Sequence, residues 1–340
     1  MELVRSGNAV YTFGSYSATT QTTGSGTNNK KVEIKLAELN DGTKYITERT
    51  KYMTTSVIED GHLVGARVYD IGKEISLKIL ADQKKKGIKM EDEESLTLSH
   101  CDKQSQESVR CLGKIFCGGR QDTLDEKSCI FVGFDENKSR IVQLDFSRLK
   151  PSVSIFPGEI CIIGGNNPRG KIFYVNEIFS ERILENCPPP IKDQLTEPIN
   201  IVIASAPFTS EDNLLFEYLE KLMLNCQNNK PDVLILTGAF LPQKSKTIFD
   251  VALELDNHFK NMLSDISERM GVTKTIIVSS LNDINSSAVY PTHPYKLKTV
   301  RPFPNLFFVP DPCIVDINGV QIALTSTDIT QHLADSEYCV

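Results

Sequence analysis

Three apolar runs of this sequence end in short turns, which is where α/β enzymes commonly hold catalytic groups. The turns are ASAPF (204–208), TGAFLPQ (237–243) and SSLNDIN (279–285). A dinuclear metal centre that hydrolyses phosphate esters needs several Asp, His and Asn ligands at such points. The second turn has Ala239 and Pro242 where a Gly-Asp-x-x-Asp loop would place its carboxylates. The third turn retains the ligand types Asn282 and Asp283, so the sequence predicts the framework of such a site without its metal.

The five histidines do not complete a metal site. They are His62, His100, His258, His293 and His332. His258 lies within a helical pattern and His293 within a Pro-rich loop, and isolated histidines of this kind are surface or capping residues far more often than ligands. We therefore predict no catalytic residue, no metal ligand and no cofactor, and the sequence does not indicate which residues bind a partner. A divergent metallophosphoesterase that depends on Asp283 remains an alternative.

A further candidate motif, GNNPRGK at 165–171, nearly matches the phosphate-binding loop G-x-x-x-x-G-K-[ST]. That loop requires a Ser or Thr after the lysine and a helix whose N-terminus faces the phosphates. Here Ile172 follows the lysine, and FYVNEIF continues as a strand pattern. The motif therefore predicts the turn of a β-hairpin.

The elements around the three turns follow a βαβαβ order. Aliphatic runs at 199–208, 231–240 and 273–283 predict strands, and the first is typical of a strand that is buried on both faces. One predicted helix has Ser210 as its N-cap, with Glu211 and Asp212 in the first turn, and the next ends at Gly271. This order implies a parallel, layered sheet. Further strands follow around a hairpin at Asn318 and Gly319.

Between Val109 and Ile178 the pattern is that of short β-strands. Five strands separated by turns rich in Gly, Asn and Pro predict a small closed barrel, and an oligonucleotide-binding (OB) fold fits best. OB barrels can bind single-stranded nucleic acid by stacking bases on aromatic side chains beside cations. The candidates here are Phe116, Phe131, Phe173 and Tyr174. We expect most of these rings to pack in the barrel core.

Changes in composition along the chain indicate its domain organisation. Residues 1–44 are predicted to be a flexible linker, most clearly in the Gly, Ser, Thr and Asn tract at 14–31, which has little to bury. The remaining predicted divisions are a mixed helical and charged connector at 45–94, an OB-fold domain at 95–186, a Pro-rich joint at 187–198 and the α/β domain at 199–340.

Composition also limits the possible functions. The chain has 340 residues, of which 40% are apolar, and a net charge of -7, which argues against a broad nucleic-acid-binding face. No apolar run approaches the roughly 18 residues that span a bilayer, and the N-terminus has no secretory apolar region. The nine scattered cysteines include no Cys-x-x-Cys pair. We expect them to be small buried hydrophobes in a reducing compartment, the cytosol or the nucleus.

Five separated segments carry a family resemblance. They are SIFPGEICIIGGNNPRGK (154–171), IASAPFTSEDNLLFEYLEKLM (203–223), PDVLILTGAFLPQK (231–244), VSSLNDINSSAVYP (278–291) and PDPCIVDINGVQIALTSTDITQHL (310–333). They resemble the family of B subunits of eukaryotic DNA polymerase alpha, over a stretch from about Ser95 to His332. That family joins an OB domain to a calcineurin-like phosphoesterase domain that has lost its metal ligands. Related B subunits have Gly-Pro-Phe-x-Asp at the second turn, where this chain has Ala239 and Pro242 in place of the Pro and the Asp.

The resemblance implies a multidomain α+β and α/β protein, in which an OB-fold β-barrel precedes an incomplete calcineurin-like phosphoesterase α/β sandwich. It also implies a non-catalytic scaffold subunit of the nuclear DNA polymerase alpha–primase complex. Such a subunit would bind the C-terminal domain of the catalytic subunit, reach the primase subunits through the complex, and contact DNA indirectly or weakly while supporting primer synthesis in replication initiation. Relative to that family, the chain is expected to be truncated at both ends. A stand-alone OB-fold protein that binds single-stranded DNA is the main alternative.

Overall fold

The computed structural model describes most of the chain. The described residues are 32–37, 45–47, 49–87, 96–119, 124–135, 138–150, 153–181, 198–210, 212–245, 247, 255–297 and 303–339. In chain order the elements are β1 (Ile34–Leu36), α1 (Val57–Lys85), β2 (Ser105–Cys117), β3 (Cys129–Asp135), β4 (Lys138–Asp145), β5 (Ser154–Ile155), β6 (Ile160–Asn167), β7 (Ile172–Phe179), β8 (Ile201–Ser205), α2 (Glu217–Asn229), β9 (Val233–Thr237), α3 (Leu255–Met270), β10 (Lys274–Val278), β11 (Leu306–Val309), β12 (Cys313–Ile317), β13 (Val320–Leu324), α4 (Ile329–Ser336) and β14 (Tyr338–Cys339). The tract at 14–31 and the Pro-rich segment at 187–197, predicted as linker and joint, lie outside the described residues.

The five-stranded barrel predicted from the β-rich region is confirmed. The strands β2, β3, β4, β7 and β6 close in that order, and all neighbours are antiparallel except β4 and β7. Alternate side chains of each strand point inward, and Ile115, Phe131 and Phe173 are fully buried in the barrel core. Because β6 and β7 are antiparallel neighbours, the segment GNNPRGK lies at a hairpin turn, as predicted.

The helix α1 packs on the outside of the barrel, mainly against β2 and β6. A capping box fixes its start, since the Ser56 hydroxyl accepts a hydrogen bond from Glu59 N and the Glu59 carboxylate accepts one from Ser56 N. Gly72 lies so close to Leu112 that a Cβ atom would clash there. The sequence predicts a mixed connector over 45–94, whereas 29 of these residues form one helix. Exposed apolar side chains in its first turns obscure the helical period.

The parallel sheet of the α/β unit is confirmed, with the order β11-β10-β9-β8. Every residue of β9 is buried, as expected for a central strand. The prediction that β8 is buried on both faces is wrong, because β8 is the edge strand and Ile203 is 59% exposed. An edge strand has a paired neighbour on only one side. The side chains of β8 are therefore partly exposed despite their aliphatic composition.

A three-stranded antiparallel sheet in the order β1-β12-β13 packs against one face of the parallel sheet. The apolar core between the two sheets includes Ile235, Val278 and Val315. The strand β1 corrects the prediction of a flexible linker over 1–44, because Ile34–Leu36 pairs with Val315–Ile317. Ile34 also packs against this core. Burial of this apolar side chain stabilises a short strand within an otherwise polar region.

Two predictions of turn chemistry are confirmed. The helix α3 ends at Met270, and Gly271 follows with a φ of 54°, the left-handed conformation that favours glycine. The strands β12 and β13 join through Asn318 and Gly319, whose φ values are 50° and 89°. Positive φ at both central residues is the requirement of a type I′ hairpin turn.

The start of α2 differs from the prediction. The helix begins at Glu217, and its N-cap is Phe216 in the left-handed conformation, so Ser210 is not the cap. Upstream, Thr209 Oγ1 donates to the Asn213 carbonyl at 2.9 Å and accepts from Phe216 N at 3.4 Å. Asn213 Nδ2 donates to Glu217 Oε1 at 2.7 Å. These local side-chain bonds compete with a longer helix for the same backbone groups.

The cysteines of the described residues are free thiols. Most are buried, as predicted, and burial raises the pKa of Cys111 and Cys313 to about 12, which keeps them unreactive. Cys339 is an exception, because it is exposed. Among the described residues, none of the helices has the length and apolar character needed to cross a membrane.

Segments near both ends of the described chain connect the barrel and the α/β unit. At one end, β1 belongs to the α/β unit, whereas α1, which follows it, packs on the barrel. At the other end, β14 leaves the α/β unit and pairs with β5, with Tyr338 opposite Ile155. The Ser154 hydroxyl supports this contact by donating to Glu337 Oε2 at 3.0 Å. Each unit therefore receives a segment from beyond its own stretch of sequence.

Candidate functional site at the carboxyl ends of the parallel strands

The turns that follow β9 and β10 are hydrogen-bonded to each other. Pro242 of the first turn and Asp283 of the second form an isolated β-bridge. Ile284 N donates to the Leu241 carbonyl at 3.0 Å. The carboxyl ends of neighbouring parallel strands meet at one edge of a sheet, where α/β proteins place their ligand sites. The structure therefore brings together two of the turns that the sequence predicted to form the framework of a metal site without its metal.

Asp283 is the centre of this pair of turns, and its side chain is fully buried. Its Oδ2 atom accepts hydrogen bonds from Phe240 N at 2.6 Å and from Leu241 N at 3.1 Å. The Tyr295 hydroxyl donates to the same oxygen at 3.2 Å. The other oxygen, Oδ1, accepts from Asn285 N at 3.0 Å. Four protein donors therefore occupy this carboxyl group, and two of them come from the turn that lacks acids.

Burial dominates the protonation chemistry of the site. Desolvation raises the pKa of Asp283 above its usual range, although hydrogen bonds from three backbone N–H groups and Tyr295 oppose the shift. Burial also raises the pKa of Tyr295 well above its usual range, and the neighbouring Asp283 carboxyl adds to that effect. Tyr295 is therefore a neutral hydroxyl that donates a hydrogen bond to Asp283.

This composition is not that of a metal centre. Ala239 and Pro242 offer no side-chain ligand, and the oxygens of Asp283 already accept hydrogen bonds from the protein. Within the part of the chain that the structure describes, no group of three or more His, Cys, Asp or Glu residues could hold a metal ion. We call the hydrogen-bonded pair of turns, 238–243 and 280–285, the Asp283 lock, because its geometry fixes two loops to each other.

A second buried carboxyl group, Asp311, follows β11. Its Oδ1 atom accepts from Ser326 N at 3.1 Å, and its Oδ2 atom accepts from Ser326 Oγ at 2.5 Å. Thr327 Oγ1 donates to Oδ2 at a longer distance of 3.4 Å. The backbones of Asp311 and Thr292 also form an isolated bridge. Sequence reasoning missed this site, which could have been found by pairing the acid of PDP with the hydroxyls of TSTD across the β12–β13 hairpin.

Two histidines contact backbone carbonyls of distant segments. His258 Nε2 lies 2.8 Å from the Leu214 carbonyl oxygen, and His293 Nε2 lies 2.7 Å from that of Thr50. His293 is buried, and its ring meets the edge of the Tyr52 ring with 4.5 Å between centroids. The expectation of a surface or capping residue is therefore wrong for His293, because segment 49–52 covers it. The exposed histidines are His62, His100 and His332.

The four aromatic candidates for base stacking divide into two groups. The barrel core buries two of the four rings, Phe131 and Phe173, rather than most of them as expected. Phe116 is 41% exposed, and Lys114 Nζ lies 4.9 Å from its ring centroid. The Arg148 guanidinium lies 4.7 Å from the Tyr174 ring centroid. Phe116 and Tyr174 are on β2 and β7, which are not neighbours in the barrel, so the two cation–aromatic pairs do not form one continuous stacking surface.

Comparison with protein families matches the barrel and the α/β unit separately. The family model for the OB domain of the DNA polymerase alpha B subunit matches residues 63–181, which include most of α1 and all five barrel strands. The family model for the DNA polymerase alpha/epsilon B subunit matches residues 201–340. The molecule is therefore a polymerase B-subunit type of protein, in which an OB barrel precedes a layered α/β unit.

Curated relatives narrow the assignment. The B subunit of DNA polymerase alpha from Drosophila melanogaster is 40% identical over 198 residues, which cover 58% of this chain and 32% of that protein. The protein of the same name from Rattus norvegicus is 31% identical over 242 residues, which cover 69% of this chain and 40% of that protein. This chain belongs to the DNA polymerase alpha B-subunit family. It spans about a third to two-fifths of the length of these relatives.

Proposed function

We propose that this protein is a non-catalytic accessory subunit of the DNA polymerase alpha–primase complex and acts in the nucleus in the initiation of DNA replication. In this role it binds the C-terminal domain of the catalytic subunit, reaches the primase subunits through the complex and supports primer synthesis. Membership of the B-subunit family supports the assignment to this polymerase. The proposed division is an OB domain at 95–186 and an α/β domain at 199–340.

The Asp283 lock carries the non-catalytic part of the proposal. We propose that the α/β domain is a calcineurin-like phosphoesterase domain in which hydrogen bonds have replaced the metal site. The turns after β9 and β10 would supply metal ligands in an active domain, but here they supply Ala239, Pro242 and a carboxyl group occupied by donors. Buried acids without a metal would be unpaired charges, which are strongly destabilising. The Asp283 lock retains one acid, and four hydrogen-bond donors satisfy its carboxyl group.

The connection between the two units supports a scaffold role. Two domains that share a single linker move relative to each other by default. Here β1 and β14 add contacts near both ends of the described chain. Such contacts restrict relative motion, so a partner that touches both domains meets a surface that is formed before it binds, which lowers the ordering cost of association.

A pull-down from nuclear extract with the tagged full chain tests this role. We expect mass spectrometry to recover the polymerase alpha catalytic subunit together with the primase subunits. Co-expression with the C-terminal domain of the catalytic subunit tests direct contact, and the two proteins should co-elute in size-exclusion chromatography. If the chain is folded by far-UV circular dichroism but recovers none of these proteins, the proposed role is wrong.

A phosphodiesterase assay with added Mn²⁺ tests the absence of catalysis. We expect no hydrolysis of bis(p-nitrophenyl) phosphate above the rate in buffer. Hydrolysis that is abolished by Asp283→Asn and retained by Asp335→Asn, which changes an exposed residue of α4, would support a divergent metallophosphoesterase instead.

One contact favours a second candidate function, the binding of single-stranded DNA by the barrel. Arg148 over Tyr174 is the type of cation–aromatic pair on which a base can stack. That function predicts affinity for a thymidine oligonucleotide that falls steeply with salt and is lost in Tyr174→Ala. The accessory-subunit role predicts weak binding that is insensitive to this substitution.

A further inference from the structure

A shallow groove lies on the outer face of β3 and β4, between the β2–β3 and β6–β7 connections. Its volume is about 270 Å³. The floor is aliphatic, because Ile130 and Ile141 are diagonal neighbours on the outer face while Phe131 and Val142 point into the barrel core. Ile141 is 65% exposed, which is unusual for a large aliphatic side chain near the middle of a strand.

Two lysines, Lys127 and Lys171, form the rims of the groove. Gln143 hydrogen-bonds the backbone carbonyl of each. Gln143 N donates to the Lys171 carbonyl at 3.2 Å, and Gln143 Nε2 donates to the Lys127 carbonyl at 3.4 Å. Both lysines are exposed. Among the described residues, neither lysine is within salt-bridge distance of a carboxylate. Two acids precede Lys127. The Asp125 carboxylate accepts hydrogen bonds from the N–H groups of Lys127 and Ser128, and Glu126 is exposed.

The rest of the barrel surface is partly covered by the chain itself. The helix α1 lies against β2 and β6, and β14 pairs with β5. The helix α1 also contacts β3, but among the described residues Ile141, on the groove face of β4, remains 65% exposed. In OB folds generally, the face of the second and third barrel strands, with the loops that border it, is the surface that receives ligands. In this barrel those strands are β3 and β4.

The chemistry of the groove selects among ligand classes. Nucleic-acid strands are held by stacking on aromatic rings, and none of the described residues that line this groove is aromatic. Small-molecule pockets are usually larger, at roughly 300–1,000 Å³, and enclose their ligand. An aliphatic floor between two cationic rims is instead complementary to a peptide that carries an aliphatic side chain between acidic residues.

We propose that this groove is a docking site for a short acidic segment of another protein. The segment places an aliphatic side chain over Ile130 and Ile141, and its carboxylates pair with Lys127 and Lys171. This site is separate from the Asp283 lock and does not depend on the accessory-subunit role. Its electrostatic part weakens as salt rises, because the lysines are exposed.

A peptide selection on the full chain tests the proposal. A library of random peptides of roughly twelve residues is selected on the wild-type chain and depleted on the Ile141→Glu chain, which places a negative charge on the groove floor. We expect the surviving peptides to be enriched in Asp and Glu together with Leu, Ile and Val. No difference between the two chains, or a consensus without acids, would overturn the proposal.

The best peptide is then measured by fluorescence anisotropy against point variants. We expect affinity to fall at least about tenfold in Ile141→Glu, in Ile141→Gln and in the double variant Lys127→Glu, Lys171→Glu. The matched controls Val272→Glu and Lys244→Glu, which change exposed residues of the α/β unit, should bind within about twofold of wild type. Equal binding by the double lysine variant would refute the charge pairing. Binding of a thymidine oligonucleotide that Ile141→Glu abolishes would assign the groove to nucleic acid instead.

Discussion

Replacing Asp283 with alanine would remove the acceptor on which the two turns of the Asp283 lock converge. Three donors would then remain in a buried site without a partner, the backbone N–H groups of Phe240 and Leu241 and the Tyr295 hydroxyl. The fourth donor, Asn285 N, lies in a partly exposed turn, where water can replace the lost acceptor.

The size of the effect follows from the cost of unsatisfied donors. Each buried donor that loses its partner costs about 1–3 kcal/mol, so three give an upper range of roughly 3–9 kcal/mol. Two effects reduce this sum, because removal of the carboxyl group also removes its desolvation cost and a water molecule can enter the vacated space. We expect a net loss of about 3–5 kcal/mol for Asp283→Ala. Asp283→Asn keeps one carbonyl acceptor, and we expect it to lose about 1–2 kcal/mol.

Urea unfolding followed by far-UV circular dichroism measures the change in the free energy of unfolding. Since the chain has two units, both must be followed, and hydrogen exchange of peptides that cover 238–245 and 280–286 locates the loss. We expect faster exchange in both turns, even though Asp283 belongs to only one of them. Asp335→Ala, in an exposed position of α4, is the matched control.

Two results would refute this account of the lock. If Asp283→Ala were within about 0.5 kcal/mol of wild type, the carboxyl group would not hold the turns. If exchange increased in the 280–286 turn while 238–245 kept its protection, the hydrogen bonds to Phe240 and Leu241 would not carry the coupling.

Three further predictions concern acidity, the second buried acid and the barrel. Burial raises the pKa of Asp283, so its contribution to stability is greatest at low pH and is lost as pH rises through the folded-state pKa. In urea titrations, the stability of wild type relative to Asp283→Asn should therefore decrease as pH rises above the ordinary Asp pKa of about 4. Ser326→Ala removes the 2.5 Å hydrogen bond to Asp311 and should lower the free energy of unfolding by about 1–2 kcal/mol, whereas no change would show that Thr327 compensates. Gly165→Ala places a Cβ atom against the Tyr174 carbonyl, where β6 and β7 pair with a register shift, and should destabilise the barrel by about 3 kcal/mol in the same assay; a stable variant would mean that this pairing can relax.

The barrel could be predicted from the sequence because its strands follow local rules. Short strands separated by turns indicated the barrel, and the absence of a Ser or Thr after Lys171 distinguished a hairpin from a phosphate loop. Which of the four aromatic rings would be buried was not predicted. The helix end at Gly271 and the hairpin at Asn318 were predictable for the same reason, since each depends on the conformational preferences of one or two residues.

The role of Asp283 could not be predicted, although the residue was singled out. Its two donors from the other turn are backbone N–H groups 43 and 42 positions away in sequence, and a backbone donor leaves no trace in residue types. The loss of ligands at Ala239 and Pro242 could be predicted, whereas the hydrogen bonds that replace them depend on how the two turns approach each other.

The errors at β1 and β8 have a common physical cause, which is that strand pairing decides burial. The runs that form β8 and β9 are similarly aliphatic, yet β8 lies at the edge of the sheet and β9 lies within it. β1 is a three-residue strand whose order depends on its pairing with β12, about 280 residues away. Neither outcome is encoded within the segment itself.

The exchange of β1 and β14 between the two units has a consequence for dividing the molecule. A protease cut within 187–197 would not release the barrel and the α/β unit as independent pieces, because the N-terminal piece would retain a strand of the α/β sheet and the C-terminal piece would retain the partner of β5. The two pieces would behave as the complementary halves of a split protein. We expect them to co-purify when expressed together from separate open reading frames, and each to leave the other's sheet incomplete when expressed alone.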